Sequence, residues 1–75
     1  MSQDRPTNNE RAICAVVEHK WTSPTDIPKL IWPGTRRHSA WASPICLRMV
    51  KKGYLERNER GWYKTTALGE RVLHD

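Results

Sequence analysis

Nothing in these 75 residues approaches the run of ~20 apolar residues that a membrane-spanning helix needs. The opening stretch, Met1-Ser2-Gln3-Asp4-Arg5-Pro6, leads into no apolar region long enough for a signal peptide. A cytoplasmic chain with no membrane partner is expected. Glycine-rich phosphate loops, nucleophile elbows and paired carboxylates are missing too. His19, His38 and His74 stand far apart, and neither Cys14 nor Cys46 has a neighbour at metal-ligand spacing. Catalysis, a bound metal and a cofactor are therefore not expected. The cysteines lie in apolar stretches read as helical, where an isolated cysteine is more often a small buried hydrophobe than half of a disulfide. Repeats and low-complexity tracts are absent. The length suits one small domain with a limited core, residues 6–75, preceded by a loose arm, residues 1–5.

The charge is unevenly distributed. Residues 1–34 hold four basic and four acidic groups, whereas residues 35–64 hold eight basic groups against Glu56 and Glu59, a balance of +6. So concentrated a positive field suits a polyanionic partner. A solubilising surface is the plainer alternative.

Pro6-Thr7-Asn8-Asn9-Glu10 can form a capping box with Thr7 as cap and Glu10 at the third helical position, Asn8 and Asn9 being rival caps. Ala12, Ile13, Val16 and Val17 then recur at helical spacing, and the helix should fade between His19 and Thr22, with Trp21 folding back over the core. A short second helix follows, with Ile27, Leu30 and Ile31 on one face. Thr25 is its expected cap, because capping at Ser23 would put Pro28 where the ladder needs a donor. Trp32-Pro33-Gly34 ends it, and Thr35-Arg36-Arg37-His38-Ser39 forms a basic loop. The third helix has a register conflict at Pro44: starting at Ser39 places the proline in the ladder, and starting at Ser43 leaves about two turns. The compromise is an irregular or 3₁₀ turn over residues 39–42 leading into the main helix, with Cys46, Met49 and Val50 inward, helped by Ala42 or Ile45. Arg48, Lys51 and Lys52 stay in solvent.

Lys51-Lys52-Gly53 is a helix end: cations meet the negative pole of the dipole, and glycine supplies the left-handed residue. Tyr54-Leu55 and Trp62-Tyr63 read as strands around the turn Asn58-Glu59-Arg60-Gly61. Thr66 can cap a last helix whose Leu68, Val72 and Leu73 would close the core.

This arrangement, from Leu47-Arg48-Met49-Val50-Lys51-Lys52-Gly53-Tyr54 through Tyr63-Lys64-Thr65-Thr66 to Gly69 and Val72-Leu73, resembles winged helix-turn-helix proteins, most of all small MarR/PadR-type bacterial or phage domains. Their wing commonly runs into a Tyr-x-Leu-Thr-x-x-Gly-x-x-Leu pattern, on which Tyr63, Thr66, Gly69 and Val72 or Leu73 fall, with Thr65 in place of the leucine. The resemblance covers roughly residues 9–73. It implies an α+β fold of three helices, a two-stranded wing and a short C-terminal helix. Two departures stand out. The segment between the second and third helices is long and irregular, and the long dimer-forming helices of MarR-type proteins have no counterpart.

The resemblance implies a double-stranded-DNA-binding protein, a transcriptional regulator or a phage or plasmid accessory factor. Arg36, Arg37, His38, Ser39 and Trp41 would precede or open the recognition helix and reach base edges or phosphates. Ser43 and the helix N-terminus behind it could hold a phosphate, and Arg48 would follow one or two turns on. Lys51 and Lys52 would position the backbone or act as solvent-facing caps. Arg57 and Arg60 bracket the wing tip, with Lys64 behind, while Glu56 and Glu59 would pair with these arginines in the absence of DNA. A homodimer would form on a pseudopalindromic site, two copies about 34 Å apart or a multiple of that distance. Two alternatives stand beside this: a protein-interaction winged helix docking through Trp32/Trp41 or the wing, and a single-stranded nucleic-acid binder using exposed tryptophans. Trp21 and Trp62 are expected in core or structural roles.

Overall fold

Three glycines in the left-handed region mark the sharp reversals of the chain: Gly34, Gly53 and Gly61, at φ +84°, +86° and +78°. The computed structural model describes residues 6–74; the arm expected over residues 1–5 lies outside them. Between the reversals run α1 (Asn8–Val16), α2 (Asp26–Ile31), α3 (Ser39–Lys52), β1 (Leu55–Arg57), β2 (Tyr63–Thr65) and α4 (Ala67–His74). The fold is α+β, with four helices and one two-stranded antiparallel sheet whose hairpin is compatible with a wing. The strands pair Leu55 with Thr65, Glu56 with Lys64 and Arg57 with Tyr63, slightly later in the chain than expected. Thr22 and Tyr63 exchange two 2.9 Å backbone hydrogen bonds, so the loop after α1 pairs with β2 as well.

The capping box at α1 forms as expected: Thr7 Oγ1 accepts from Glu10 N, and Glu10 Oε1 accepts from Thr7 N. The helix ends at Val16 rather than fading beyond His19. Its last carbonyls find other donors, because Thr65 N donates to Val17 O at 3.3 Å and Thr65 Oγ1 donates to Cys14 O at 3.1 Å. Buried Thr65 thus ties β2 to the end of α1 with both its donors. A leucine at this position could offer only the backbone N–H.

Helix α2 begins at Asp26, but the capping group is not Thr25, whose side chain makes no cap bond. Ser23 does the capping, its hydroxyl accepting from Asp26 N and its carbonyl from Ile27 N. The donor missing at Pro28 is tolerated because the carbonyl four residues back belongs to Pro24, in the turn before the helix. Ile27 and Pro28 are buried, and Leu30, expected inward, is 48% exposed.

Helix α3 is one continuous α-helix from Ser39, with no irregular opening turn and with Pro44 inside it. Pro44 has no N–H to give to the Ala40 carbonyl. Both residues lie on the exposed side, where water can take the donor's place, so the helix continues through the proline. Ala42, Cys46 and Met49 face inward as expected, with Ile45 and Val50 partly buried. Gly53 closes the helix in the Schellman pattern: Gly53 N donates to Val50 O and Tyr54 N to Met49 O.

Thr66 joins the two ends of the last turn. Its hydroxyl donates to the Gly53 carbonyl and accepts from Gly69 N, while its own N–H donates to Tyr54 O. A Cβ on Gly69 would lie 2.1 Å from Tyr54 O and 2.7 Å from Thr65 Cγ2, so only glycine lets α4 approach this junction. Val72 and Leu73 pack on the core, but Leu68 is 40% exposed. The core itself gathers Ile13, Val17, Ile27, Met49, Leu55 and Tyr63 with both cysteines. Those thiols are free, and burial raises Cys14 to about 11 and Cys46 to about 12, which keeps them protonated and unreactive at neutral pH. Among the described residues, no helix is long and apolar enough to cross a membrane.

Candidate nucleic-acid interface

The basic loop is shaped by a turn that its sequence dictates. Thr35 N donates to Trp32 O at 3.0 Å across Pro33 and Gly34, with Gly34 at φ +84°. Proline followed by a positive-φ glycine is a type II turn. Thr35 Oγ1 then accepts from Arg37 N at 3.1 Å. The turn brings three predicted residues together. The Arg37 guanidinium carbon sits 4.7 Å from the centre of the Trp32 ring, and Trp41 meets Trp32 edge-on at 5.1 Å. Arg37 is exposed, so a guanidinium held against the ring still has N–H groups to offer an anion. Arg36 is exposed beside it.

His38 caps α3, its Nδ1 accepting from Ala40 N at 3.3 Å, which leaves the proton of the neutral ring on Nε2. Ser39 is the first helical residue. Ser43 is not at a helix start: it lies one turn inside α3, its backbone N–H facing along the ladder, so the phosphate role expected for it is lost. Arg48 and Lys51 are exposed on the helix, as expected.

Lys52 is exposed in the last turn of α3, as expected, but it also has a partner. Its ammonium lies 2.9 Å from Glu10 Oε2, and the Glu10 side chain is only 5% exposed. The pair links the end of α3 to the first turn of α1, so this lysine is structural. Nothing local in the chain signals it, because the partners stand 42 positions apart.

At the hairpin tip, Asn58 Oδ1 accepts from both Arg60 N and Trp62 N, and Gly61 N donates to Asn58 O. Arg57 and Arg60 are exposed there. Among the described residues, neither Glu56 nor Glu59 forms an ion pair, contrary to the expected pairing with these arginines. Arg57 instead lies across Gly61, its Nη2 3.1 Å from where a Cβ would stand. The Arg60 guanidinium lies 5.4 Å from the Trp62 ring centre, and Lys64 Nζ lies 5.9 Å from that of Trp21.

Trp21 and Trp62 were expected in the core or in structural roles, but neither joins the buried cluster. Both line an open cleft of about 320 Å³, together with Lys20, Lys29, Leu30 and Asp26. The pairing of Thr22 with Tyr63 buries Tyr63 and leaves its chain neighbour Trp62 on the other face, half-buried like Trp21.

The solvent side of α3 also carries a feature the sequence reading overlooked. Ala40, Pro44, Leu47 and Lys51 are all exposed and recur at spacings of four, three and four. That spacing is the mirror of the buried Ala42, Cys46 and Met49, and could have revealed the stripe. The helix contains no acidic residue. Comparisons with protein-family models, curated proteins and solved structures give no match for this chain.

Proposed function

We propose that this chain is a winged helix-turn-helix protein that binds double-stranded DNA and acts as a transcriptional regulator or a phage or plasmid accessory factor. The observation that carries the reading is α3. It is 14 residues long, free of acidic side chains, bare on its solvent side, and flanked by exposed cations: Arg36 and Arg37 before it, Arg48 and Lys51 in its last turns. A helix of that length rises about 21 Å and its diameter matches the major groove. In this reading the hairpin is the wing, with Arg57 and Arg60 reaching flanking phosphates.

Titration of a labelled duplex across a salt series tests it. Affinity should fall linearly on a log–log plot against salt. Replacing Arg36 and Arg37 together by glutamine should weaken binding and reduce that slope by roughly one to two, the contribution expected of two phosphate contacts. Both residues are exposed, so the fold should survive. No binding at low salt, or binding indifferent to salt, sinks the reading.

One observation favours a second reading. The cleft between Trp21 and Trp62, edged by Lys20 and Lys29, offers ring faces and cations to an unstacked base of a single strand. Competition between duplex and single strand separates the two: preference for the single strand, lost on Trp62→Ala, selects the second.

A further inference from the structure

We propose that α3 reads thymine methyl groups: Ala40, Pro44 and Leu47 contact the C5-methyls of adjacent A·T pairs in the major groove, while the cations at either end of the stripe hold phosphates. This rests on the duplex-binding reading above.

At 100° per residue, Ala40, Pro44, Leu47 and Lys51 fall within one narrow stripe of the helix surface. All four are exposed, Leu47 to 47%. Folding does not explain the stripe. Its side chains add nothing to the core, and a proline in the second turn withdraws a ladder donor where a polar residue would serve the helix better.

The charges select the occupant. With no acidic residue on α3 and cations beyond both ends of the apolar stretch, a second copy of the chain would set like charges against each other. A polyanion is favoured, and the apolar feature that duplex DNA presents in its major groove is the thymine methyl. No side chain in the exposed stretch from Ala40 to Leu47 offers the forked hydrogen bonds that read guanine or adenine. That stretch rises about 10 Å, close to three base-pair steps. Two or three consecutive A·T pairs are therefore the unit it spans.

The test uses four duplexes of about two helical turns, each titrated across the same salt series and compared at matched salt: alternating A·T, its twin with deoxyuridine for thymidine, alternating G·C, and its twin with 5-methylcytosine for cytosine. Losing a methyl from an apolar contact should weaken binding roughly four-fold, so the uridine twin should bind about fifteen-fold more weakly if two methyls are read. The methylcytosine twin should bind more tightly than G·C. Leu47→Ser and Pro44→Ser, both at exposed positions, should erase these differences and keep the salt slope. Equal affinity for the thymidine and uridine duplexes, with salt dependence intact, overturns methyl reading and leaves duplex binding standing. Absence of salt-dependent binding to all four overturns both. Equal affinities together with a dimer in sedimentation that Leu47→Ser dissociates would assign the stripe to a second copy and also overturn the proposal.

Discussion

The two ends of α3 are built on opposite terms. At the C-terminal end, Gly53 satisfies the last carbonyls, Thr66 bridges to α4, Gly69 admits no Cβ, and Lys52 is tied to buried Glu10. At the N-terminal end, one imidazole caps the helix, a proline interrupts the ladder within two turns, and apolar side chains face water. The first end has little freedom to change without loss of stability. The second carries features that the fold does not need, and that contrast is why the candidate surface lies there.

The sharpest way to break the C-terminal end is Gly69→Ala. In an ordinary helix this change stabilises by up to ~1 kcal/mol. Here the new methyl would enter space held by the Tyr54 carbonyl, a backbone atom that cannot rotate away. The expected loss is about 3 kcal/mol, lowering the melting temperature on the order of 15 °C for a domain this small. A urea or thermal melt checks it, and a neutral result would mean that α4 does not pack as described.

Pro44→Ala attacks the other end and should act in the opposite direction. Restoring an N–H to the ladder and removing the ring's clash should stabilise the protein by roughly 2–3 kcal/mol, less whatever water already gives the Ala40 carbonyl. Greater stability in denaturant together with weaker duplex binding is the expected pair of outcomes. Lower stability would show that Pro44 supports the fold after all.

This asymmetry governs how much the sequence could tell. Gly53, Thr66 and the hairpin turn are read correctly because each acts through its own residue type and its immediate neighbours. Pro44 is misread because the penalty depends on which way one carbonyl faces, and that is a property of the assembled fold. Leu30 and Leu68 are apolar and at helical spacing, yet α2 and α4 are too short to bury a full stripe, so both remain in solvent. Glu10 and Lys52 look like ordinary surface charges until α3 is laid across α1. Of the candidate site, the basic loop and its tryptophans were legible as composition. Their clustering on a type II turn needed the structure.

Lys52→Met sharpens the division between structural and binding lysines. Among the described residues, removing the ammonium leaves the nearly buried Glu10 carboxylate with only its cap bond to Thr7 N. Breaking a fully buried pair costs about 3–5 kcal/mol, but Lys52 is 38% exposed, so about 1–2 kcal/mol is expected after allowance for solvent. The salt slope of duplex binding should not change. Lys51→Met should do the reverse, leaving the melt alone and lowering the slope by about one. The two melts and two slopes together decide whether neighbouring lysines have separate tasks.

The smallest effect, His38→Asp, bears most directly on what the N-terminal end is for. Aspartate is a better cap than an imidazole held at 3.3 Å, and its charge suits the positive pole of the helix, so a gain of about 0.5–1 kcal/mol is expected. A position selected only for stability would therefore favour aspartate. The same substitution sets a negative charge beside Arg36 and Arg37, where a phosphate would approach, and duplex affinity should fall most at low salt, where that repulsion is least screened. A more stable protein that binds DNA less well would show that stability has been given up here in favour of the surface. A more stable protein with unchanged affinity would remove this end of α3 from the interface and shift the search to the hairpin and the tryptophan cleft.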